Sequence, residues 1–155
     1  MKERFLSMFE IVTVGFPFCV FKLLTGQHLF SRPGWEPVGV LLLLLGLSDA
    51  LLNLSNFVVF AGGRQTRIVG ICTIDQVIRL FRPRRAAWTE VAASADVLLS
   101  FVLVAGMLGS MTLMQLPIEA RQTWTTCTVL NVLGAGLTRV FRSVEQLNTA
   151  KSALR

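Results

Sequence analysis

An all-α, polytopic membrane protein with four transmembrane helices, and an amphipathic helix on the cytoplasmic surface between the second and third, is what this sequence predicts. Three observations carry that expectation. Hydrophobic residues make up 53% of the 155 and charged residues only 15%, against about 25% charged in a typical soluble domain. Apolar runs long enough to cross a bilayer can be laid at about 5–24, 37–61, 96–116 and 123–141. Twelve of the fifteen Lys and Arg residues then fall on one side. Residues 1–155 read as a single membrane domain with no room for a separate catalytic one.

The first span opens on "MKERFLSMFE", whose basic head resembles a secretory leader, but Glu10 and Pro17 break the apolar stretch and no small-x-small cleavage site follows. It is therefore read as an uncleaved span bent at Pro17. Glu10 lies near one interface, pairing with Arg4 or an arginine of the long loop, and Lys22 snorkels to the other. The second span has Trp35 at its start and "AGGR" at its end, an interfacial aromatic and a glycine stop. The third, "DVLLSFVLVAGMLGSMTLMQL", ends at Pro117, and Asp96 or Ser94 serves as its helix N-cap. Only "PIEARQ" separates it from the fourth, so a tight antiparallel hairpin is expected.

The cationic residues orient the chain. Lys2 and Arg4, then Arg64, Arg67, Arg79, Arg82, Arg84 and Arg85, then Arg139, Arg142, Lys151 and Arg155 share one side, and only Arg32, Arg121 and Lys22 fall toward the other. By the positive-inside rule both termini, the 62–95 loop and the 142–155 tail are cytoplasmic. Within the loop Ile71, Ile74, Val77, Ile78 and Phe81 recur at helical spacing, with Asp75, Gln76, Arg79 and Arg82 elsewhere on the wheel. That predicts an interfacial helix whose Arg79, Arg82, Arg84 and Arg85 meet anionic headgroups or a partner protein. The tail repeats Val140, Val144, Leu147 and Leu154 near one face and projects from the membrane.

The sharpest functional signal is "LSDALLNLSN", which follows five leucines and Gly46. Asp49, Asn53 and Asn56 stand at i, i+4 and i+7, hence on one helical face, in a span where a carboxylate costs about 2.5–3.5 kcal/mol. Such a stripe must meet protein or water. It either locks helices together by hydrogen bonds, forms an ion or proton site with the amides as neutral ligands, or holds a cofactor, lipid or quinone. Asn131, alone in the fourth span, is read as helix glue. Small-x-x-x-small pairs (Gly46/Ala50, Gly106/Ser110, Ala105/Gly109, Gly134/Thr138) favour a compact bundle.

Catalytic signatures are missing. His28 is the only histidine, the three cysteines lie far apart without metal spacing, and no phosphate-binding glycine loop or nucleophile with a partner base occurs. No catalytic or metal-ligating residue is therefore assigned, and no residue pattern names a cofactor. Trp35, Trp88 and Trp124 read as an aromatic belt. The net charge of +6 is explained by topology and anionic lipid, so nucleic acid is not an expected partner. The expected role is a non-catalytic integral membrane subunit or assembly protein of a larger complex, with lipids and other membrane subunits as partners. The competing expectation is a small ion or proton transporter or channel using Asp49, Asn53 and Asn56. A bacterial plasma membrane is the expected location, with an organelle membrane as the competitor.

Overall fold

The computed structural model describes residues 2–64, 72–81 and 86–153, and the described residues form helices, turns and no strand. In chain order these are α1 (Lys2–Glu10), a π-helical turn (Ile11–Gly15), α2 (Phe16–Phe30), α3 (Glu36–Ala61), α4 (Thr73–Phe81), α5 (Ala86–Gly109), a 3₁₀ turn (Thr112–Gln115) and α6 (Ile118–Ala153). Two stretches, Arg4–Phe30 and Glu36–Ala61, are long and apolar enough to cross a membrane, while the apolar part of α5 is the shorter run Ser94–Gly109. The helical class expected from the sequence is thus present, with two stretches that meet the length and apolarity of a membrane span.

Helices α1 and α2 form one rod, widened at the π turn. Pro17 has no N–H to give to the carbonyl four residues back, so the ladder loosens just before it. Thr13 and Cys19 bond back to the carbonyls of Phe9 and Gly15, at 2.8 and 3.2 Å. The rod continues to Phe30, six residues past the expected end, because Gly26 is held against α3. A Cβ at Gly26 would stand 2.9 Å from the Leu43 nitrogen, and one at Gly39 would collide with the Phe30 backbone. The connection shrinks to five residues turning on Gly34, whose φ of +84° suits glycine. Trp35 at this turn is exposed.

The hub of the molecule is α2, against which α3, α5 and α6 all pack. Its Phe18 and Phe21 join Met107, Leu116 and Trp124 in the apolar core, with the Phe21 and Trp124 rings 5.1 Å apart. Trp124 is therefore a core residue and not part of an interfacial belt.

Two boundaries depart from expectation. The third helix begins at Ala86 and stops at Gly109, because Met111 takes a left-handed conformation (φ 53°) and the Ser110 and Thr112 hydroxyls bond each other. Asp96 consequently sits inside α5 and does not cap it. Nor do α5 and α6 pair as a tight hairpin. The turn between them sends each onto α2, and a Cβ at Gly106, Gly109 or Gly136 would meet nothing within 4 Å. By contrast Gly134 lies under the Thr13 side chain.

Candidate intramembrane charge site

A hairpin of two apolar helices sets the register of the site. Gly46 of α3 lies against the Cβ of Lys22 and the side chain of Leu23, so Lys22 is level with the turn of α3 just before Asp49. Side chains on a helix lean toward its N-terminus, which brings the Asp49 carboxylate back toward that level. The Lys22 Nζ donates to Asp49 Oδ2 at 2.5 Å and also to Asp96 Oδ1 of α5. Lys22 is 1% exposed, so its expected escape to an interface does not happen. Its partners lie inside the bundle, and a charge in low dielectric goes where opposite charge is.

Asp49 is served on both oxygens. Its Oδ1 accepts the Thr73 backbone N–H at 2.6 Å and the Thr73 hydroxyl at 2.7 Å. Thr73 opens α4, so the Asp49 carboxylate sits at that helix's N-terminus, where peptide dipoles favour negative charge. Asp49 lies twelve residues from the Ala61 end of α3, about 18 Å along its axis. The α4 helix therefore starts deep beside α3. Its first turn turns polar groups inward, with Cys72 and Asp75 buried, while Val77 and Leu80 are exposed. Arg82, Arg84 and Arg85, and the side chain of Arg79, lie outside the described residues.

The polar stripe of α3 faces the α1–α2 rod. Asp49, Asn53 and Asn56 are all buried. Asn53 Nδ2 donates to the Asp49 carbonyl at 2.9 Å and contacts the Cys19 sulfur at 3.7 Å. Gly15, in the π turn, leaves room for it: a Cβ there would stand 2.5 Å from Asn53 Oδ1. Asn131 is buried elsewhere, and its Nδ2 finds no hydrogen-bond partner among the described residues.

A cavity of about 180 Å³ connects these groups. Glu10, Ile11, Gly15 and Cys19 line one wall, Asp49, Asn53 and Asn56 another, with Cys72, Asp96 and the Lys22 amine also contributing. Burial pushes the Cys72 thiol up to about 11, although the Asp75 backbone N–H, 3.5 Å from its sulfur, pulls the other way. Glu10 pairs with Arg142 of α6 at 2.9 Å. Among the described residues no three His, Cys, Asp or Glu side chains come together as a metal-holding group.

Lys22, Asp96, Thr73 and Cys19 are the residues that sequence reasoning left out of the site. Lys22 had a legible signal. An ammonium and a carboxylate, each inside an apolar run of adjacent antiparallel helices joined by a short turn, are natural partners. Asp96 had none, because its place depends on how α5 leans against α2. No family model, curated protein or solved structure matches the chain, so geometry alone carries the functional reading.

Proposed function

We propose that the chain is a small membrane-embedded transporter or channel for protons or small cations, working at Lys22, Asp49 and Asp96. The observation that carries this reading is the charge balance of the cluster. One ammonium lies between two carboxylates, all buried, so with all three ionised the cluster holds one net negative charge. A buried site carries an uncompensated charge only at a cost of several kcal/mol, and a proton or a small cation removes it. The cavity supplies room for that species, and Asn53 and Asn56 supply neutral amides beside it.

In this reading α1–α2, α3, α5 and the first part of α6 are four spans in a bacterial inner membrane, with both termini cytoplasmic. The Glu10–Arg142 pair supports that arrangement, since it puts the beginning of the chain and its tail at one end of the bundle. The test is flux in liposomes made with the purified protein, driven by a pH gradient or a potassium diffusion potential. The wild type is expected to pass protons or cations. Asp49→Asn, which keeps hydrogen-bonding capacity but removes the charge, is expected to abolish flux while eluting as the wild type does on gel filtration. Flux unchanged in Asp49→Asn would sink the reading.

One observation favours a second reading, a non-catalytic subunit of a larger membrane assembly. Helix α6 runs for 36 residues, about 54 Å, well beyond the ~30 Å hydrocarbon thickness of a bilayer. Its projecting part exposes Val140, Phe141 and Val144, an apolar strip suited to another chain, and Arg79, Arg82, Arg84 and Arg85 would add anionic-lipid contacts. Purification in mild detergent with mass spectrometry decides this. Stoichiometric companions favour the subunit, and a chain that purifies alone or as a homo-oligomer favours the transporter.

A further inference from the structure

The cavity has an open end and a closed end, and both are built from named residues. Side-chain exposure is 29% at Glu10 and lower in the cluster at the far end, 12% at Asp96, 4% at Asp49 and 1% at Lys22. On the rod, Glu10 and Lys22 are twelve residues apart, about 18 Å along a helix. On α3 the same direction runs from Asn56 through Asn53 to Asp49, so the polar stripe is one wall of a single passage. Beyond Lys22 the passage stops. Gly46 takes the Lys22 and Leu23 side chains, Gly26 lies against the Leu43 backbone and Gly39 against Phe30, while Phe21 and Trp124 fill the α6 side.

We infer that this cavity is a one-ended access route from the Glu10 end of the bundle to the Lys22–Asp49–Asp96 cluster, and that Glu10, held by Arg142, is its mouth. The Glu10 carboxylate is positioned to draw a proton or small cation in from water. The Arg142 guanidinium, on a different helix, competes for that carboxylate and keeps α1 and α6 together across the opening. What passes rests on the transport reading above; the shape of the route does not.

The test uses the full chain with its three cysteines replaced by serine and one introduced thiol, Asn56→Cys, in the cavity wall. In liposomes, a membrane-impermeant cationic methanethiosulfonate is added to one face or the other. Labelling is expected from one face only, the face that bears Glu10. Arg142→Gln is expected to raise the rate about two- to fivefold, the range that loss of an exposed ion pair supports. Labelling from both faces, no labelling from either, or a rate indifferent to Arg142→Gln would each overturn the inference. Should Asn56→Cys fail to fold by gel filtration, Ile11→Cys on the opposite wall replaces it with the same expectations. Glu10→Gln is expected to slow flux without abolishing it. A wild type that labels from one face but passes nothing would defeat the transport reading and leave the route intact.

Discussion

Lys22 is the residue on which the buried chemistry turns. A lysine that loses its partners inside a low-dielectric interior is costly, and so are two carboxylates that lose their shared ammonium. Lys22→Met is therefore expected to destabilise the fold by about 3 kcal/mol, read as an earlier thermal transition in detergent. Replacing all three together, Lys22→Met with Asp49→Leu and Asp96→Leu, is expected to recover most of that loss, since matched apolar groups avoid the desolvation penalty. A triple variant less stable than the single one would show that the Thr73 bonds to Asp49 matter more than the charges. Cys72 gives a second prediction at this scale. With its thiol pushed up to about 11 by burial, little thiolate exists at neutral pH. Alkylation by iodoacetamide should be slow at pH 7 and rise about tenfold per pH unit toward that value. A rate already at its plateau at pH 8 would contradict a buried thiol.

Among the helices, glycines divide into those that carry a crossing and those that do not. Gly39 sits against the Phe30 backbone, whereas a Cβ at Gly106 would meet open space. Gly39→Ala is expected to separate α2 from α3 and lower stability, whereas Gly106→Ala is expected to be neutral or to gain up to about 1 kcal/mol from its better helix propensity. Comparing the two melting curves checks this, and equal effects would mean that the α2–α3 crossing is not the tight one. In the sequence Gly106 stands out as half of a small-x-x-x-small pair and Gly39 does not, the reverse of their weight in the fold. What separated them was the packing partner, which a one-dimensional pattern does not contain. The same limit explains α4. Its 3.6-residue periodicity was readable from Ile71 to Phe81, but the direction its first turn faces is set by Asp49, a residue 24 positions earlier. The inward direction of Asp49, Asn53 and Asn56 was legible because a polar stripe in an apolar span has nowhere else to go.

For the molecule as a whole, the sequence showed a helical chain with helices long and apolar enough to cross a membrane, but not its centre. Expectation treated the spans as two successive hairpins. The observed arrangement puts α2 in the middle, with α3, α5 and α6 around it, and leaves much of α5 and α6 exposed to whatever surrounds them. Phe21 and Trp124 hold α6 to the hub through one ring pair, which an interfacial reading of Trp124 could not have foreseen. Glu10 of α1 and Arg142 of α6, 132 positions apart in sequence, tie α6 to the other end of the rod.

The lysine and its first aspartate also bear on how the two long apolar helices would enter a membrane as the chain is made. Lys22 and Asp49 belong to α2 and α3, which are synthesised before α5, joined by a five-residue turn and closed by glycine contacts. Each charge alone would tax insertion by about 2.5–3.5 kcal/mol. Paired, they enter as a neutral hairpin, and the polar burden is discharged before α5 has left the ribosome. Asp96 then arrives at a pair already formed. The order of synthesis matches the order in which the charges can be tolerated, and a nascent chain truncated after Ala61 should already insert as a two-helix unit.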